Sequence, residues 1–202
     1  NQARSALSGC GDSINALSFG GSTSVSYVTT TERWSGSTWA TTNALNIAKI
    51  AFSGCGDINN ALSFGGYTGT IISATEKWSG LSWITTTSLN ISKRDLAGCG
   101  DVYNTLSIGG AVVSYLLSVS EKWTNVQTYI NPTLVTNYIS SWTTSSNINV
   151  VRYAHGGCGT INSALLFGGY TGTTVATSEL WSGLAWATAN SLNQARMYIS
   201  GC

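Results

Sequence analysis

The sequence predicts an all-β protein built from one four-stranded antiparallel unit that is repeated along the chain. Three short signals recur at a spacing of roughly 45 residues, a period typical of stacked or radially arranged repeats. Each unit, called a copy below, begins with Gly-Cys-Gly, continues through an apolar run ending in Gly-Gly, and closes with Glu-x-Trp and a second Trp. The residues that mark the start of successive copies are Cys10, Cys55, Cys99, Cys158 and Cys202. One design therefore accounts for the whole chain.

The strands of the first copy follow from its apolar runs and turn residues. Residues 4–11 and 15–20 are predicted as two strands, because each is an apolar run bounded by Gly, Asp and Ser. A connection rich in Ser and Thr leads to a third strand at residues 32–34. Ser35-Gly36 is predicted to be a tight two-residue turn into a fourth strand around Trp39. No segment has the period of an amphipathic helix.

The copies are similar in length except for the third. Their predicted bounds are about 4–48, 49–92, 93–151 and 152–195. Residues 196–202 repeat the opening segment and predict the first strand of a fifth copy. In the third copy Thr124-Asn125 replaces the Ser-Gly turn, and an insertion at 125–141 contains Tyr129, Pro132 and Tyr138. We expect a single domain over residues 1–202, with the insertion at the end of its unit opposite the di-glycine loops.

Four-stranded units with this period, a di-glycine and spaced Trp residues are what a β-propeller requires. The strand ending in Gly-Gly, the aromatic residue on the third strand and the Trp on the fourth resemble the Kelch repeat, outside the third-copy insertion. The resemblance implies a Kelch-like β-propeller of four full copies plus the first strand of a fifth. The Gly-Cys-Gly strand, and Trp where Tyr is commoner, depart from that pattern. A spare strand with an unpaired edge invites pairing, so we expect an oligomer, a larger assembly or further residues to complete the propeller.

The short, compact copies also resemble repeat proteins encoded by bacteriophages and environmental microbes. This resemblance implies a virion or extracellular surface location. Charged residues make up only 8% of the chain and the net charge is +1. Surfaces that bind nucleic acid or membranes carry clustered positive charge, so we expect neither partner. We also expect no membrane span, because the sequence has no apolar run of about 18 residues.

The few charges follow the copies. A cation precedes every Cys, and a carboxylate lies in each Glu-x-Trp. Strand alternation places Glu76 and Trp78 on one face and Thr75 and Lys77 on the other, so Glu76 is buried if Trp78 packs inward and then needs a cationic partner. We therefore predict structural ion pairs, within or between copies, among Arg4, Glu32, Lys49, Glu76, Lys93, Glu121, Arg152, Glu179 and Arg196.

The remaining charges have simpler interpretations. A cation inside Glu-x-Trp is predicted to face solvent; these residues are Arg33, Lys77 and Lys122. An Asp after Gly-Cys-Gly suits a turn in which the carboxylate accepts backbone hydrogen bonds; these residues are Asp12, Asp57 and Asp101. Thr160 takes that place in the fourth copy. Only Arg94 and Asp95 fall outside the pattern.

The five Cys residues occupy equivalent places on predicted neighbouring strands. Such places usually leave Cα atoms too far apart for a disulfide. We therefore expect free, buried thiols. A disulfide network and a ring of metal-binding thiols are the alternatives, although zinc favours tetrahedral sites with Cys-x-x-Cys spacing, which the sequence lacks.

The sequence offers little for catalysis, so we expect a non-enzymatic protein with no cofactor and no metal. His155 is the only His, and a catalytic His needs a nucleophile or carboxylate beside it. Carboxylates repeated in every copy indicate architecture rather than the paired acids of a glycosidase. A galactose-oxidase-like enzyme on a Kelch propeller is disfavoured, because its His and Tyr metal ligands cannot be assembled from a single His.

The candidates for binding are tyrosines in polar loops. Tyr67 and Tyr170 open identical Tyr-Thr-Gly-Thr loops after the di-glycine, and Tyr129 and Tyr138 lie in the insertion. Aromatic residues among Asn, Thr and Ser are typical of surfaces that bind sugars or proteins. The first hypothesis is a structural or receptor-binding module on a virion or cell surface with a protein or glycan partner. The alternatives are a lectin with repeated sugar sites and a Kelch-type protein-interaction adaptor.

Overall fold

The structure, a computed structural model, describes residues 2–129 and 136–201, without the side chains of residues 127–129 and 136–138. Those ranges contain sixteen β-strands and no helix. The strands form four antiparallel sheets of four strands, one sheet for each copy. The predicted all-β chain of repeated four-stranded antiparallel units is therefore confirmed.

The first two sheets consist of four-residue strands in simple meander order. The first copy contains β1 (Ser8–Gly11), β2 (Ala16–Phe19), β3 (Thr31–Trp34) and β4 (Trp39–Thr42). The second copy contains β5 (Ser53–Gly56), β6 (Ala61–Phe64), β7 (Thr75–Trp78) and β8 (Trp83–Thr86). Gly-Cys-Gly thus forms the inner strand of each sheet, and the second Trp opens the outer strand.

The last two sheets repeat this order, with a longer outer hairpin in the third. The third copy contains β9 (Ala97–Gly100), β10 (Asn104–Ile108), β11 (Ser120–Tyr129) and β12 (Thr136–Ser145). The fourth copy contains β13 (Gly156–Gly159), β14 (Ala164–Phe167), β15 (Ser178–Trp181) and β16 (Trp186–Ala189). Outside β10 and β12 of the third copy, equivalent strands begin at equivalent residues, so the repeats in sequence are repeats in structure.

Two details of the first copy differ from the prediction. The inner strand begins at Ser8 rather than at residue 4, because Ala6 has a left-handed backbone with φ of 50° that interrupts an extended run. The strand ladder between β3 and β4 ends at the pair Trp34 and Trp39, and Ser35 N–H donates to Thr38 O at 3.1 Å, so the tip of the hairpin is Gly36-Ser37 rather than Ser35-Gly36.

The third-copy insertion lengthens a hairpin instead of forming a separate loop. Thr124 and Asn125 are not a turn, because they pair with Ser141 and Ser140 inside the β11–β12 ladder. The ladder continues to Tyr129 opposite Thr136, through Thr, Val, Ile and Tyr residues that favour strands. Pro132 and the rest of residues 130–135 lie outside the described residues.

Residues 196–201 contain no strand, although the sequence predicts one there. In the four copies the inner strand is defined by its ladder with the second strand, and residues 196–201 form no such ladder with any described residue. The segment still docks as an opening segment does. Tyr198 N–H donates to Ala154 O at 2.7 Å, which reproduces the 2.7 Å bond from Asp95 N–H to Ala51 O.

The core lies between neighbouring copies. Inner strands β1, β5, β9 and β13 adjoin one another in chain order. Phe19 of the first copy packs 4.8 Å from the Trp83 ring of the second, and Phe64 packs 5.1 Å from the Trp142 ring of the third. A Cβ on Gly54 would lie 2.5 Å from Phe19 Cζ. The glycine before Cys therefore gives the previous copy's aromatic ring its space.

Cys10, Cys55 and Cys99 are free thiols, which confirms that part of the prediction for these residues; Cys202 lies outside the described residues. Cys55 and Cys99 are buried, whereas Cys10 and Cys158 are half-buried, so the expectation of uniform burial was wrong. Burial raises the pKa of Cys55 and of Cys99 to about 12. Both thiols are therefore protonated near neutral pH and poor nucleophiles.

Candidate functional site

The structure brings the repeated cation and carboxylate of each copy together. The contacts are Arg4 Nη2–Glu32 Oε2 at 2.7 Å, Lys49 Nζ–Glu76 Oε1 at 3.3 Å, Lys93 Nζ–Glu121 Oε1 at 3.1 Å and Arg152 Nη2–Glu179 Oε1 at 2.5 Å. The side chains in all four pairs are at most 6% exposed. Arg196 is exposed instead, and its carbonyl oxygen accepts a hydrogen bond from Gly169 N–H at 2.9 Å.

From the second copy onward, each buried carboxylate also accepts a hydrogen bond from a backbone N–H of the preceding copy. Glu76 Oε2 accepts a 2.6 Å hydrogen bond from Asn46 N–H, and Asn46 Nδ2 donates to Trp83 O at 3.0 Å. The same contacts recur in Asn90–Glu121–Trp142 and in Asn149–Glu179–Trp186. Burial lowers the pKa of Lys49 and of Lys93, and the nearby Glu opposes that shift. These charges therefore hold neighbouring copies in place.

The charges predicted to face solvent are not all free of contacts. Arg33 is exposed, but Lys122 Nζ donates to Gly183 O at 2.7 Å and lies 4.8 Å from the Trp181 ring centroid. Lys122 is half-buried because the fourth copy covers the outer strands of the third. The prediction for Lys122 was therefore wrong: it joins the third copy to the fourth.

The Asp residues after Gly-Cys-Gly hold turns. Asp57 Oδ1 accepts hydrogen bonds from the backbone N–H groups of Asn59 at 2.7 Å and Asn60 at 2.9 Å. The same pattern occurs at Asp12 and Asp101. Thr160 Oγ1 replaces the carboxylate in the fourth copy, with longer bonds of 3.3 and 3.2 Å.

The His155 side chain is buried. It takes the place of Leu7, Phe52 and Leu96 in the other copies, and its Nε2 lies 3.1 Å from Ile108 O. Burial lowers the pKa of His155 to about 3, with the Arg152 charge acting in the same direction. The imidazole is therefore neutral near pH 7.

Equivalent segments of the copies meet around one cavity of about 550 Å³, called the shared cavity below. Its lining comes from residues 6–9, 51–54, 95–98, 154–157 and 198–201. The first residue of each segment has left-handed φ between 50° and 54°; these residues are Ala6, Ala51, Asp95, Ala154 and Tyr198. Backbone hydrogen bonds join the last four in order, from Asp95 to Ala51, from Ala154 to Asp95 and from Tyr198 to Ala154. Three of the five left-handed residues are Ala, so only Asp95 and Tyr198 present longer side chains there.

The two charges outside the repeat pattern meet at this cavity. Asp95 lines it, and Arg94 Nη1 lies 3.3 Å from Asp95 Oδ2. The Arg94 side chain is 43% exposed and the Asp95 side chain 12%. Burial raises the pKa of Asp95, and the Arg94 guanidinium opposes the rise. Arg94 also lies 5.9 Å from the Tyr67 ring centroid, which connects the Tyr67 loop to the cavity.

A second set of contacts connects Tyr170 to the cavity. The Tyr170 and Tyr153 rings are 5.4 Å apart, and the Tyr153 side chain is among the neighbours that raise the pKa of Tyr198. Burial raises the pKa of Tyr198, and the Asp95 charge adds to that effect. Tyr198 is 68% exposed at the cavity opening. The candidate residues Tyr67 and Tyr170 do not line the cavity themselves, but each contacts a residue that is next to a lining residue in the chain: Tyr67 lies near Arg94, and Tyr170 packs against Tyr153.

Tyr129 and Tyr138 are not part of this group. Their backbones lie in the distal part of the β11–β12 hairpin, and their side chains are outside what the structure describes. The extension starts at Asn125, whose backbone N–H donates a hydrogen bond to Tyr103 O in the turn that follows β9. This turn is at the end of the sheet opposite the di-glycine loops, so the two pairs of candidate tyrosines belong to different ends of the molecule.

Sequence reasoning missed Tyr153 and Tyr198 and gave no role to Arg94 and Asp95. One pattern in the sequence could have identified Asp95 and Tyr198. The residue two places after the repeated cation is Ala in three copies, but it is Asp in the third copy and Tyr after the fourth. A bulky or charged residue at a position otherwise filled by Ala marks a site where the scaffold does not dictate the side chain.

Comparison with known proteins gives information about the fold. No family model matches the sequence, and no curated protein matches it. Among solved structures, the structure of YjhT is similar with a TM-score of 0.78 at 11% identity, over 98% of this chain and 73% of that one. The fold is β-propeller-like. At this identity the similarity extends to the arrangement of repeated sheets and not to residues of the site.

Two features are absent from the described residues. No helix in residues 2–129 or 136–201 has the length and apolar character needed to cross a membrane. In the same part of the chain, no cluster of three or more His, Cys, Asp or Glu side chains is arranged to hold a metal ion.

Proposed function

We propose that the protein is a non-enzymatic binding module whose partner, a protein or a glycan, contacts the face that contains the shared cavity and the Tyr67 and Tyr170 loops. The observation that carries this proposal is the cavity of about 550 Å³, which lies within the usual range for ligand sites of about 300–1,000 Å³. Aromatic side chains and the partly exposed Arg94–Asp95 pair lie at or beside it, whereas the repeated ion pairs are buried within their copies.

The non-enzymatic part of the proposal rests on how the ionisable groups are used. The repeated Glu residues are buried in contacts that join copies, the Asp residues after Gly-Cys-Gly hold turns, and His155 is neutral and enclosed. Catalysis by acid, base or nucleophile requires such groups to reach a substrate. In our proposal the copies are Kelch-type units of a propeller, and the module works on an extracellular or virion surface.

A glycan array and a protein pull-down, both with the wild-type protein, test this function. We expect at least one specific hit that weakens when Tyr67 and Tyr170 are both replaced by Ala. The matched control is Tyr103→Ala, an exposed tyrosine in a turn at the other end of the sheets. The absence of hits in both assays, or equal binding by all variants, would contradict the proposal.

A lectin with repeated sugar sites is a second candidate, and the two Tyr-Thr-Gly-Thr loops favour it. Tyr67 N–H donates to Ile50 O at 2.9 Å, and Tyr170 N–H donates to Tyr153 O at 2.9 Å. Both loops close with a 3.0 Å bond between their two Thr residues. If each loop is a site, crystals soaked in simple sugars should show density beside both tyrosines. Density beside neither would exclude repeated sites.

A further inference from the structure

Asp95 and Tyr198 occupy a backbone position that side chains rarely adopt. Left-handed backbone is uncommon for residues other than glycine, and for a bulky residue such as Tyr it is a true outlier. Asp95 has φ of 53° and Tyr198 has φ of 54°. Strained residues of this kind concentrate at binding and active sites. The three Ala residues at the equivalent positions show that the scaffold itself does not require Asp or Tyr.

The chemistry of these side chains is suited to an uncharged, hydroxyl-bearing ligand. The Asp95 carboxylate accepts hydrogen bonds and the Arg94 guanidinium donates them, and at 3.3 Å their charges compensate each other. A ligand hydroxyl can accept from one and donate to the other. The exposed Tyr198 side chain offers a ring face and a hydroxyl at the same opening. Ala6, Ala51 and Ala154 also line the cavity and present only short side chains to it.

We propose that Arg94, Asp95 and Tyr198 bind one small, neutral, hydroxyl-rich ligand, a mono- or disaccharide unit, at the opening of the shared cavity. This inference rests on the proposed binding function and makes it specific: the site occurs once in the chain, because only the third copy has the Arg-Asp pair. It differs from the repeated-lectin candidate, in which Tyr67 and Tyr170 each hold a sugar.

Saturation-transfer NMR and titration calorimetry with free sugars test the site. The probes are glucose, galactose, mannose and N-acetylglucosamine, with glucuronic acid and glucosamine as charged comparisons. We expect at least one neutral sugar to bind with a stoichiometry of one and to be preferred over its charged relatives. Asp95→Ala and Tyr198→Ala should each weaken binding by about 10-fold or more, in line with the loss of a charged hydrogen bond or an aromatic contact.

These variants separate binding from folding. Ala already occupies the same left-handed position in three copies, so both variants should melt at or above the wild-type temperature. Asp101→Asn, in a turn away from the cavity, is the control and should bind as the wild type does.

Three outcomes would overturn the site. They are binding of no free sugar, preference for a charged sugar, and binding unchanged in Asp95→Ala and Tyr198→Ala. If free sugars fail while the glycan array or pull-down still gives hits, the proposed function survives and this site does not. If both fail, the proposed function fails as well.

Discussion

The indole N–H of Trp142 donates a hydrogen bond to Thr75 Oγ1 at 3.1 Å, which joins the third copy to the second. Trp83 makes the same bond to Thr31 at 3.0 Å, one copy earlier. The equivalent pair between the third and fourth copies is Ser120 and Trp186, and neither Ser120 Oγ nor Trp186 Nε1 has a hydrogen-bond partner among the described residues, although both are buried. The methyl group of Thr restricts χ1, which explains how Thr directs its hydroxyl toward the indole.

Ser120→Thr is therefore expected to stabilise the protein. Restoring the hydrogen bond should raise the free energy of unfolding by about 0.5–1.5 kcal/mol, measured by guanidinium titration. Thr75→Ser should lower it by a similar amount. Ser37→Thr adds the same methyl group at an exposed position of the β3–β4 hairpin, and it should have little effect. A gain from Ser37→Thr equal to that from Ser120→Thr would show that the hydrogen bond is not the cause.

Glu76→Gln is expected to destabilise the protein strongly, because it leaves Lys49 buried without an anionic partner. Both side chains are fully buried, and breaking such a pair costs about 3–5 kcal/mol. Arg33→Gln, which removes an exposed charge from the first copy, should change stability by less than about 0.5 kcal/mol.

The stability of Glu76→Gln should also depend on pH in a defined direction. Burial already lowers the pKa of Lys49, and loss of Glu76 removes the opposing charge. Between the lowered folded pKa and the unfolded pKa of about 10.4, the unfolded state binds more protons, so stability rises with pH. The deficit of Glu76→Gln relative to wild type should therefore shrink as pH rises toward that value. A deficit that is constant with pH would contradict a buried, unpaired Lys49.

His155 should make stability fall in mild acid. Its folded pKa is about 3, whereas an unfolded His titrates near pH 6.5, so below that pH the unfolded state alone gains the proton. The free energy of unfolding should drop by about 1.4 kcal/mol per pH unit once pH falls well below 6.5. His155→Leu, which installs the residue of the first and third copies, should remove this slope between pH 6 and about pH 5. An unchanged slope in the variant would assign the effect to other groups.

Gly54→Ala should be destabilising because of one neighbour in the previous copy. The added Cβ would lie 2.5 Å from Phe19 Cζ, and overpacking of this kind costs about 1–3 kcal/mol. At the equivalent Gly157, Ile108 replaces the Phe, and its Cδ1 would lie 3.7 Å from the Cβ of an alanine there. Phe19→Ile should therefore reduce the penalty of Gly54→Ala in a double-mutant cycle. Strict additivity of the two changes would place the clash elsewhere.

Repetition in the sequence is what made much of this structure predictable. Because Glu76 recurs with a cation in every copy, burial and pairing follow from strand alternation alone. Thr75 shows the limit of that reasoning: it was placed on the face with Lys77, yet it is fully buried, because the Trp142 strand of the next copy covers it. Alternation describes one sheet and carries no information about which neighbouring sheet packs against it.

The cavity residues were harder to predict for a different reason. Asp95 and Tyr198 lie 103 positions apart in the numbering, with nothing local to relate them, and only the shared left-handed backbone position brings them to one opening. The long hairpin was missed because Thr124-Asn125 is a plausible turn in isolation. The strand-forming residues on both sides of the insertion decide the outcome instead.

The four sheets are arranged around the shared cavity rather than in a straight row. Double electron–electron resonance, which measures distances between nitroxide labels, tests this arrangement most directly. The labels are placed at equivalent exposed positions of the outer strands, which are Ala40, Ile84, Thr143 and Ala187. They are attached through non-canonical amino acids, so the thiols stay unmodified. We predict that the distance between positions 40 and 187 is clearly shorter than the sum of the three neighbour distances. A distance equal to that sum would indicate a straight stack of sheets and would rule out an arrangement around the cavity.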